Sequence, residues 1–331
     1  MYKEVFAFLE RHNSLVLTTH EKPDADGLGA EIVFFQVCLK LGKKTRILNT
    51  DPVPERFAFM DPQGLIETLG QKEKSPPEAG GDPPEKSALV ILDTSDEYNI
   101  GKMRDYIQQA AEVFVIDHHE KNPFCAFPGI VDSTASSTCE LVMEIAAQAG
   151  LILDRESANA AYGGIIYDTG SFAYSKTTVR TFKAALSLLG AGVNPYHIHH
   201  EIYETASTAA LLLQKKVLAS LELYNNGRTA VQILRKEDLL SSGAFVDDAE
   251  NFINVPLGSR DINVSVLVKE SGEGQIRCSL RSKGTINVSK IAQSFGGGGH
   301  VSAAGFRSKD SIENTLEKVL KKITEALDAS K

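Results

Sequence analysis

The sequence contains no run of roughly 18 apolar residues, which excludes a membrane-spanning helix of ordinary length. Its four cysteines, Cys38, Cys125, Cys139 and Cys278, stand far apart with no Cys-x-x-Cys spacing. That pattern argues against a zinc ribbon and against a disulfide framework, leaving buried or idle thiols. The first residues, Met1 to Arg11, lack the basic start and apolar centre of a signal peptide; they mix Lys3, Glu4 and Glu10 with Val5, Phe6, Phe8 and Leu9 as an amphipathic helix would. A cytoplasmic protein is the expectation. There is no excess of basic residues either: the net charge of −8 argues against general binding to long duplex DNA, which needs a basic face. No internal repeat or long biased tract is present. An acidic chain can still take anionic substrates, because bound divalent cations invert the local field.

The charge that is present is unevenly placed. From Pro256 to Lys331 there are 12 Lys and Arg against 8 Asp and Glu, a net of +4 in a chain that is negative overall. Such a division suits one domain that holds cations and another that holds an anion, although a solvated surface with chance asymmetry gives the same count.

Hydrophobic patterning divides the chain in the same way. The apolar runs at 14–19, 45–49, 88–92 and 113–116 read as short buried strands, separated by an amphipathic helix near 28–41 and by loops. Strands of this kind, alternating with helices, predict an α/β domain with a mostly parallel, doubly wound sheet. The stretch from Lys74 to Lys86, rich in Pro and Gly, predicts an exposed loop. Helices are expected at 136–150, 155–167 and 177–189. The remainder reads as a smaller α+β domain with strands at 228–234, 263–269 and 275–281, turns at 225–227 and 271–274, a short helix at 288–295 and a closing amphipathic helix through Ile312, Leu316, Val319, Leu320, Ile323 and Leu327. The expected boundaries are 1–192, a helical connector at 193–213, and 214–331, with the active site in the cleft between the domains. His197, His199 and His200 fall in the connector, and their spacing does not put all three on one helical face.

Four places carry chemistry. His20, Asp24 and Asp26 follow the first strand, where Pro23 is expected to keep Lys22 extended and Gly27 to permit a tight turn. Asp93 ends another strand, Asp117-His118-His119 a third, and Asp168 follows a helix. Sites in open parallel sheets form outside the carboxyl ends of strands, where three of these clusters fall. Carboxylates gathered in one crevice repel one another and call for cations. Imidazole and carboxylate without cysteine suit manganese, zinc or iron, and a pair of such ions is a usual device for phosphoryl hydrolysis. Singly, each residue has a plainer explanation: Asp93 as a turn or cap residue, His118-His119 as a polar turn, His20 as a satisfied half-buried histidine. Their joint placement favours the metal reading. Ser136-Ser137-Thr138 fits a helix start, with capping the simpler role and phosphate contact the other.

Taken together, the segments resemble the DHH phosphoesterase family, named for Asp-His-His, here Asp117-His118-His119. His20-x-x-x-Asp24-x-Asp26 resembles its first motif, Asp93 its second and Asp168 its fourth. The glycine-rich Phe295-Gly296-Gly297-Gly298-Gly299-His300 resembles the end of its associated C-terminal domain. The resemblance spans essentially the whole chain, in the family's motif order. It implies that His20 and Asp24 hold one ion, that Asp26, His118 and Asp168 hold another, and that Asp93 bridges them. Two divalent ions, Mn²⁺ by the family's preference, are the implied cofactor. Asp117 and His119 would act on the substrate or orient the site. Lys22 and Ala30 stand where the family often has Asn and Ser, neither at a ligand position.

In the C-terminal region, Gly297, Gly298 and Gly299 would offer backbone N–H groups to an anion, with His300 as a further donor, a flexible hinge or tight turn being the plainer explanation. Arg281, Ser282 and Lys283 precede them and could hold a terminal phosphate, Arg281 in bidentate fashion. Arg260 is a further candidate, nearly as well explained as a surface arginine. By the resemblance, the glycine-rich domain and compact size point to the nanoRNase and pAp-phosphatase branch. The expected activity is hydrolysis of very short oligoribonucleotides to mononucleotides, together with 3′-phosphoadenosine 5′-phosphate to AMP. The alternatives are a phosphodiesterase for linear or cyclic dinucleotide messengers and a nucleotide-binding regulator with a degenerate metal site. The family alone suggests a homodimer.

Overall fold

The computed structural model describes residues 2–70, 86–120, 122–249, 251–270, 274–284, 286–299 and 301–329. The expected loop from Lys74 lies, as far as residue 85, outside the described residues, as do residues 271–273 of the expected turn and His300. The chain forms two compact units, Met1–Thr205 and Ala206–Lys331.

In the first unit six strands form one parallel sheet: β1 (Ser14–Thr18), β2 (Lys44–Asn49), β3 (Ile66–Thr68), β4 (Ala88–Leu92), β5 (Val113–Asp117) and β6 (Gly129–Val131). Their order is β3-β2-β1-β4-β5-β6. The edge strands β3 and β6 have three residues each, too few to show an alternation in the sequence. Successive residues of the central strands face opposite ways. Leu15, Leu17, Val90, Leu92, Phe114 and Ile116 enter one core. Val16, Leu89, Ile91, Val113 and Val115 enter the other. Both faces are therefore covered, which is why these strands read as continuous apolar runs. The helices are α1 (Lys3–Arg11), α2 (Ala25–Lys40), α3 (Arg104–Ile107), α4 (Thr138–Gln148), α5 (Arg155–Asp168), α6 (Val179–Gly190) and α7 (Pro195–Tyr203).

The strand order reverses between β1 and β4, and a crevice opens there at the strands' carboxyl ends. Helix α2 starts at that point, at Ala25 rather than near Leu28. Asp24 caps it, accepting hydrogen bonds from the backbone N–H groups of Asp26 at 3.0 Å and Gly27 at 3.2 Å. Small residues then bring α2 against α5: a Cβ on Gly29 would lie 2.6 Å from the carbonyl oxygen of Ala160 and 2.8 Å from Cys139 Sγ. Gly164 likewise meets the backbone of Ala25 and Asp26. This close approach places Asp26, at the start of α2, beside Asp168, at the end of α5.

The stretch 193–213, expected as a connector, carries two helices that belong to different units. Helix α7 joins the first core through Ile198, and Tyr203 Oη donates to the carbonyl of Ile166 at 2.8 Å. Its histidines lie alongside glutamates, His197 at 3.7 Å from Glu201 and His200 at 3.1 Å from Glu204. Helix α8 (Thr208–Ala219) joins the second core through Leu213 and Val217.

The second unit contains β7 (Glu222–Tyr224), β8 (Thr229–Leu234), α9 (Lys236–Ser242), β9 (Val264–Glu270), β10 (Ile276–Ser282), α10 (Val288–Gln293), β11 (Gly298–Gly299), β12 (Ala303–Ser308) and α11 (Ile312–Ala329). The strands form a mixed sheet in the order β11-β12-β10-β9-β8-β7, parallel only between β8 and β9. One face, with Val264, Val266, Cys278, Leu280 and Phe306, is covered by α10 and α11. On the other, α8 and short helical turns around Phe252 cover Leu234 and Leu267.

Candidate metal centre

Residues from four parts of the first unit converge on the crevice. His20 follows β1, Asp24 and Asp26 begin α2, Asp93 follows β4, Asp117 ends β5 with His118 and His119 next, and Asp168 ends α5. Asp93 is held at φ 64° in the left-handed region, which an L-residue adopts only under constraint from its surroundings.

The carboxylate of Asp93 lies between two clusters. Its Oδ2 is 3.6 Å from His20 Nε2, and the same imidazole nitrogen is 3.8 Å from Asp24 Oδ1. Its Oδ1 is 3.6 Å from His118 Nε2 and 3.8 Å from His119 Nδ1. The His118 Nε2 atom in turn lies 3.8 Å from Asp26 Oδ2 and 2.9 Å from Asp168 Oδ2. His20, Asp24 and Asp93 form one group whose ligand atoms all lie within 4.8 Å of one another; Asp26, His118 and Asp168 form a second, and Asp93, His118 and His119 a third.

The groups behind these ligands are specific. His20 Nδ1 lies 2.8 Å from the carbonyl of Glu21, which can only accept, so the ring donates there and turns Nε2 to the carboxylates. Asp26 accepts from the backbone N–H groups of Thr138 at 2.6 Å and Cys139 at 2.8 Å, the first two residues of α4. Thr138 Oγ1 also donates to Asp93 Oδ1 at 2.8 Å. Ser137 is the helix cap, accepting from Glu140 N–H at 3.0 Å. Capping thus accounts for Ser137, while Thr138 orients two carboxylates of the cluster, a role the Ser-Ser-Thr pattern alone does not distinguish. No sequence signal marks Lys176 either; its Nζ donates to the carbonyl of His118 at 3.3 Å. Asp117 holds His119, with Oδ1 2.8 Å from Nδ1.

The titration behaviour follows from this crowding. Burial raises Asp26 to about 6, with the Asp168 charge adding to it. Burial and the charge of Asp24 raise Asp168 to about 7. Asp93 is pushed well above the usual carboxylate range by burial and by Asp26. Burial alone would depress His20, but hydrogen bonding and charge from Asp24 and Asp93 override it and raise the imidazole to about 12. Burial likewise works against His119, yet Asp117 and Asp93 raise it to about 9. His118 moves the other way, lowered by burial despite the nearby carboxylates.

These residues fit divalent cations. Both ring nitrogens of His118 are buried and form no well-aligned hydrogen bond among the described residues, and Nε2 faces three carboxylates, Asp168 at 2.9 Å among them. A neutral imidazole among acids that resist joint ionisation is a cation-binding arrangement. The donors are nitrogen and oxygen only. Cys139 is close, but its thiol donates to the carbonyl of Asp26 at 3.4 Å, and burial together with the Asp26 charge pushes its pKa well up.

The residues expected to bind substrate lie in the second unit, within β10, the β11–β12 hairpin and nearby turns. Arg281 and Ser282 are neighbours on β10 and so point to opposite faces. Ser282 is buried, its Oγ donating to the carbonyl of Ile286 at 2.6 Å. The Lys283 ammonium donates to the carbonyls of Ser259 and Arg260. Arg260 itself is exposed. Gly297 and Gly299 prove to be constrained by packing, whereas a Cβ on Gly296 or Gly298 would meet open space. A side chain on Gly297 would strike the carbonyl of Gly305, and its N–H already donates to Ala292 at 2.9 Å. Gly298 and Gly299 pair with Gly305 and Ala304 of β12. The N–H of Gly297 is therefore not available to an anion. His300 lies outside the described residues.

Residues 14–165 match the DHH family, N-terminal domain, and residues 226–329 match the DHHA1 domain. The chain thus carries a DHH family N-terminal domain followed by a DHHA1 domain. It is 27% identical over 320 residues to a bifunctional oligoribonuclease and PAP phosphatase of Thermus thermophilus, covering 95% of this chain and 90% of that one. It is 27% identical over 322 residues to a cyclic-di-AMP phosphodiesterase of Listeria monocytogenes, covering 94% of this chain and 46% of that one. The crystal structure of an exopolyphosphatase-related protein from Bacteroides fragilis superposes with a TM-score of 0.88 at 25% identity, covering 98% of this chain and 96% of that one.

Proposed function

We propose that this chain is a two-metal phosphoesterase that hydrolyses very short oligoribonucleotides to mononucleotides and 3′-phosphoadenosine 5′-phosphate to AMP. The observation that carries the reading is the placement of Asp93, one oxygen toward His20 and Asp24, the other toward His118. In this reading His20 and Asp24 hold one divalent ion and Asp26, His118 and Asp168 the other, with Asp93 shared. When bound, such ions, Mn²⁺ in this proposal, supply Lewis-acid polarisation of the phosphoryl group and activation of water. The α4 N-terminus keeps the Asp26 carboxylate in place through two backbone donors. Asp117 fixes His119 through Nδ1, which leaves Nε2 as the atom able to give a proton to the departing oxygen. In the second unit Arg281, Lys283, Arg260, Gly298, Gly299 and His300 recognise the terminal phosphate; Ser282 supports the turn, receiving the N–H of Gly284 at 3.4 Å.

The substrate assignment is supported by the named activity of the Thermus relative, which this chain matches along nearly its full length. A cyclic dinucleotide as substrate is the second reading, favoured by the Listeria relative, of which the chain spans about half. No helix among the described residues is long and apolar enough to cross a membrane. A cytoplasmic location and a homodimeric state complete the proposal. Assaying the protein with Mn²⁺ on pApA, pAp, cyclic di-AMP, pyrophosphate and a 24-nucleotide RNA tests it. Turnover of pApA and pAp is expected; activity on pyrophosphate alone, or processive degradation of the long RNA, overturns it.

A further inference from the structure

On the sheet of the second unit, three basic residues stand directly opposite one another on adjacent strands. Lys269 of β9 faces Arg277 of β10, and Arg277 faces Arg307 of β12. All three are on the face away from α10 and α11, since their neighbours Val268, Cys278 and Phe306 enter that core. Like charges placed opposite across a sheet destabilise it, and a bound anion would offset that repulsion. Among the described residues nothing does so for the two arginines. Arg277 and Arg307 are exposed, and neither forms an ion pair or hydrogen bond among the described residues. Lys269 is half-buried and donates to the carbonyl of Ala249 at 3.2 Å.

The same face continues toward Arg281. The next row is Leu267, Ser279 and Gly305, and the row after it is Ser265, Arg281 and Ala303. The floor between Arg277 and Arg281 on β10 and β12 is thus made of Ser279, Gly305 and Ala303, none with a bulky side chain. Arg277 and Arg281 are four residues apart on one strand, about 14 Å at 3.4 Å per residue. Side chains on a strand stand roughly perpendicular to the sheet, so this separation carries to the guanidinium groups. A single phosphate does not serve both.

We propose that this face is a binding track for the phosphodiester backbone of an oligonucleotide, with Arg277 and Arg307 taking a phosphate beyond the one assigned to Arg281. The ligand is a chain of several phosphates separated by small neutral units. The inference rests on the proposed activity toward short oligonucleotides and sharpens it: the second unit favours three- and four-nucleotide chains over dinucleotides.

The test uses the full chain and the double variant Arg277→Gln/Arg307→Gln, with binding of fluorescein-labelled oligoadenylates of two and four nucleotides measured in EDTA over a range of salt. The wild type is expected to bind the four-nucleotide RNA more tightly than the two-nucleotide one. The variant is expected to lose this gain, binding the longer RNA on the order of tenfold more weakly, with a log–log salt slope shallower by about 0.7 for the one phosphate no longer neutralised. Arg277→Lys/Arg307→Lys should keep the slope, since the charge remains. Because the glutamine variant removes repulsion, its melting temperature should equal or exceed that of the wild type. Equal affinity and slope for wild type and glutamine variant overturn the track. Tighter binding of sodium tripolyphosphate than of the four-nucleotide RNA also overturns it, reassigning the face to inorganic polyphosphate. Cleavage assays with Mn²⁺ separate the two readings: cleavage of the RNA with no effect of the variant refutes the track alone. A wild type that binds the RNA as described but cleaves no nucleotide refutes the proposed function alone.

Discussion

Thr138 Oγ1 donates a hydrogen bond to Asp93 Oδ1 at 2.8 Å, while the backbone N–H of the same residue donates to Asp26 Oδ2 at 2.6 Å. One residue at the start of α4 therefore orients carboxylates from two other elements. The backbone contact survives any substitution that preserves the helix; the hydroxyl contact does not. Thr138→Val keeps the shape and removes the donor. It should lower turnover or metal affinity about 10- to 100-fold, the usual effect of losing a partner behind a metal ligand. Thr138→Ser should recover most of the loss. Isothermal titration with Mn²⁺ alongside steady-state kinetics measures both, and a valine variant with wild-type affinity and rate would remove Thr138 from this role.

Among the described residues, Asp93 alone lies between the His20–Asp24 pair and His118. Asp93→Ala should reduce turnover to background and lower the Mn²⁺ content below two ions per chain, read by elemental analysis after gel filtration. Removing Asp24 should weaken one ion and spare the other. Full activity in the Asp93→Ala protein would contradict a shared ligand.

Much of this site is legible in the sequence because of where its aspartates stand. Asp93 and Asp117 each close or follow an apolar run, and a strand's carboxyl end is where open parallel sheets place ligands. The strand order with its reversal beside β1 then brings His20 and Asp93 together. Other parts leave no trace in residue type. The hold on Asp26 is made by backbone N–H groups of Thr138 and Cys139, which every residue but proline possesses. The role of Lys176 depends on a fold-level approach to the carbonyl of His118. One glycine of the run misleads on local grounds: Gly297 looks like part of an anion cradle, yet it is needed because β12 passes too close for a side chain. The strand β12 itself, Ala-Ala-Gly-Phe-Arg-Ser, has the small residues of a turn and becomes a strand through pairing with β10. The row of opposed cations likewise exists only once that register is known.

Arg180 supports a prediction about stability. Its guanidinium lies 2.5 Å from Glu144, 2.7 Å from Asp132 and 3.2 Å from Glu140, with Tyr2 Oη at 3.0 Å. It thus ties α6 to α4, to the segment after β6 and to the N-terminal residues. Glu140 is fully buried, so removing the arginine leaves a carboxylate without its counter-charge. Arg180→Met should cost about 3 kcal/mol of stability, the scale for breaking a buried pair by deleting one partner. Arg180→Lys should restore only part, because an ammonium cannot reproduce the planar fork. Urea denaturation at neutral pH gives both values. A methionine variant as stable as the wild type would mean that the glutamates relax into water.

The metal site should also set how stability depends on pH. In the chelated protein Asp168 is raised from 3.8 to about 7, His119 from 6.5 to about 9 and His20 from 6.5 to about 12. Glu31, buried beside Asn49, is raised from 4.5 to about 8, chiefly by burial. Each of these groups holds its proton more tightly folded than unfolded. Its contribution is therefore full below the unfolded pKa and is lost as pH rises through the folded one. His118 is lowered and acts in the opposite sense, but its loss falls below 6.5. Between pH 6.5 and pH 8 the raised groups act together, and the melting temperature of the protein in EDTA should fall across that window. Mn²⁺ favours the deprotonated ligands, so its stabilising effect should grow over the same range and flatten the profile. Glu31→Gln, which cannot ionise, should reduce the fall in EDTA without changing the response to Mn²⁺. Differential scanning fluorimetry at matched ionic strength reads all three curves. A chelated protein that becomes more stable from pH 6.5 to pH 8 would show that the cluster does not carry its protons as these environments dictate.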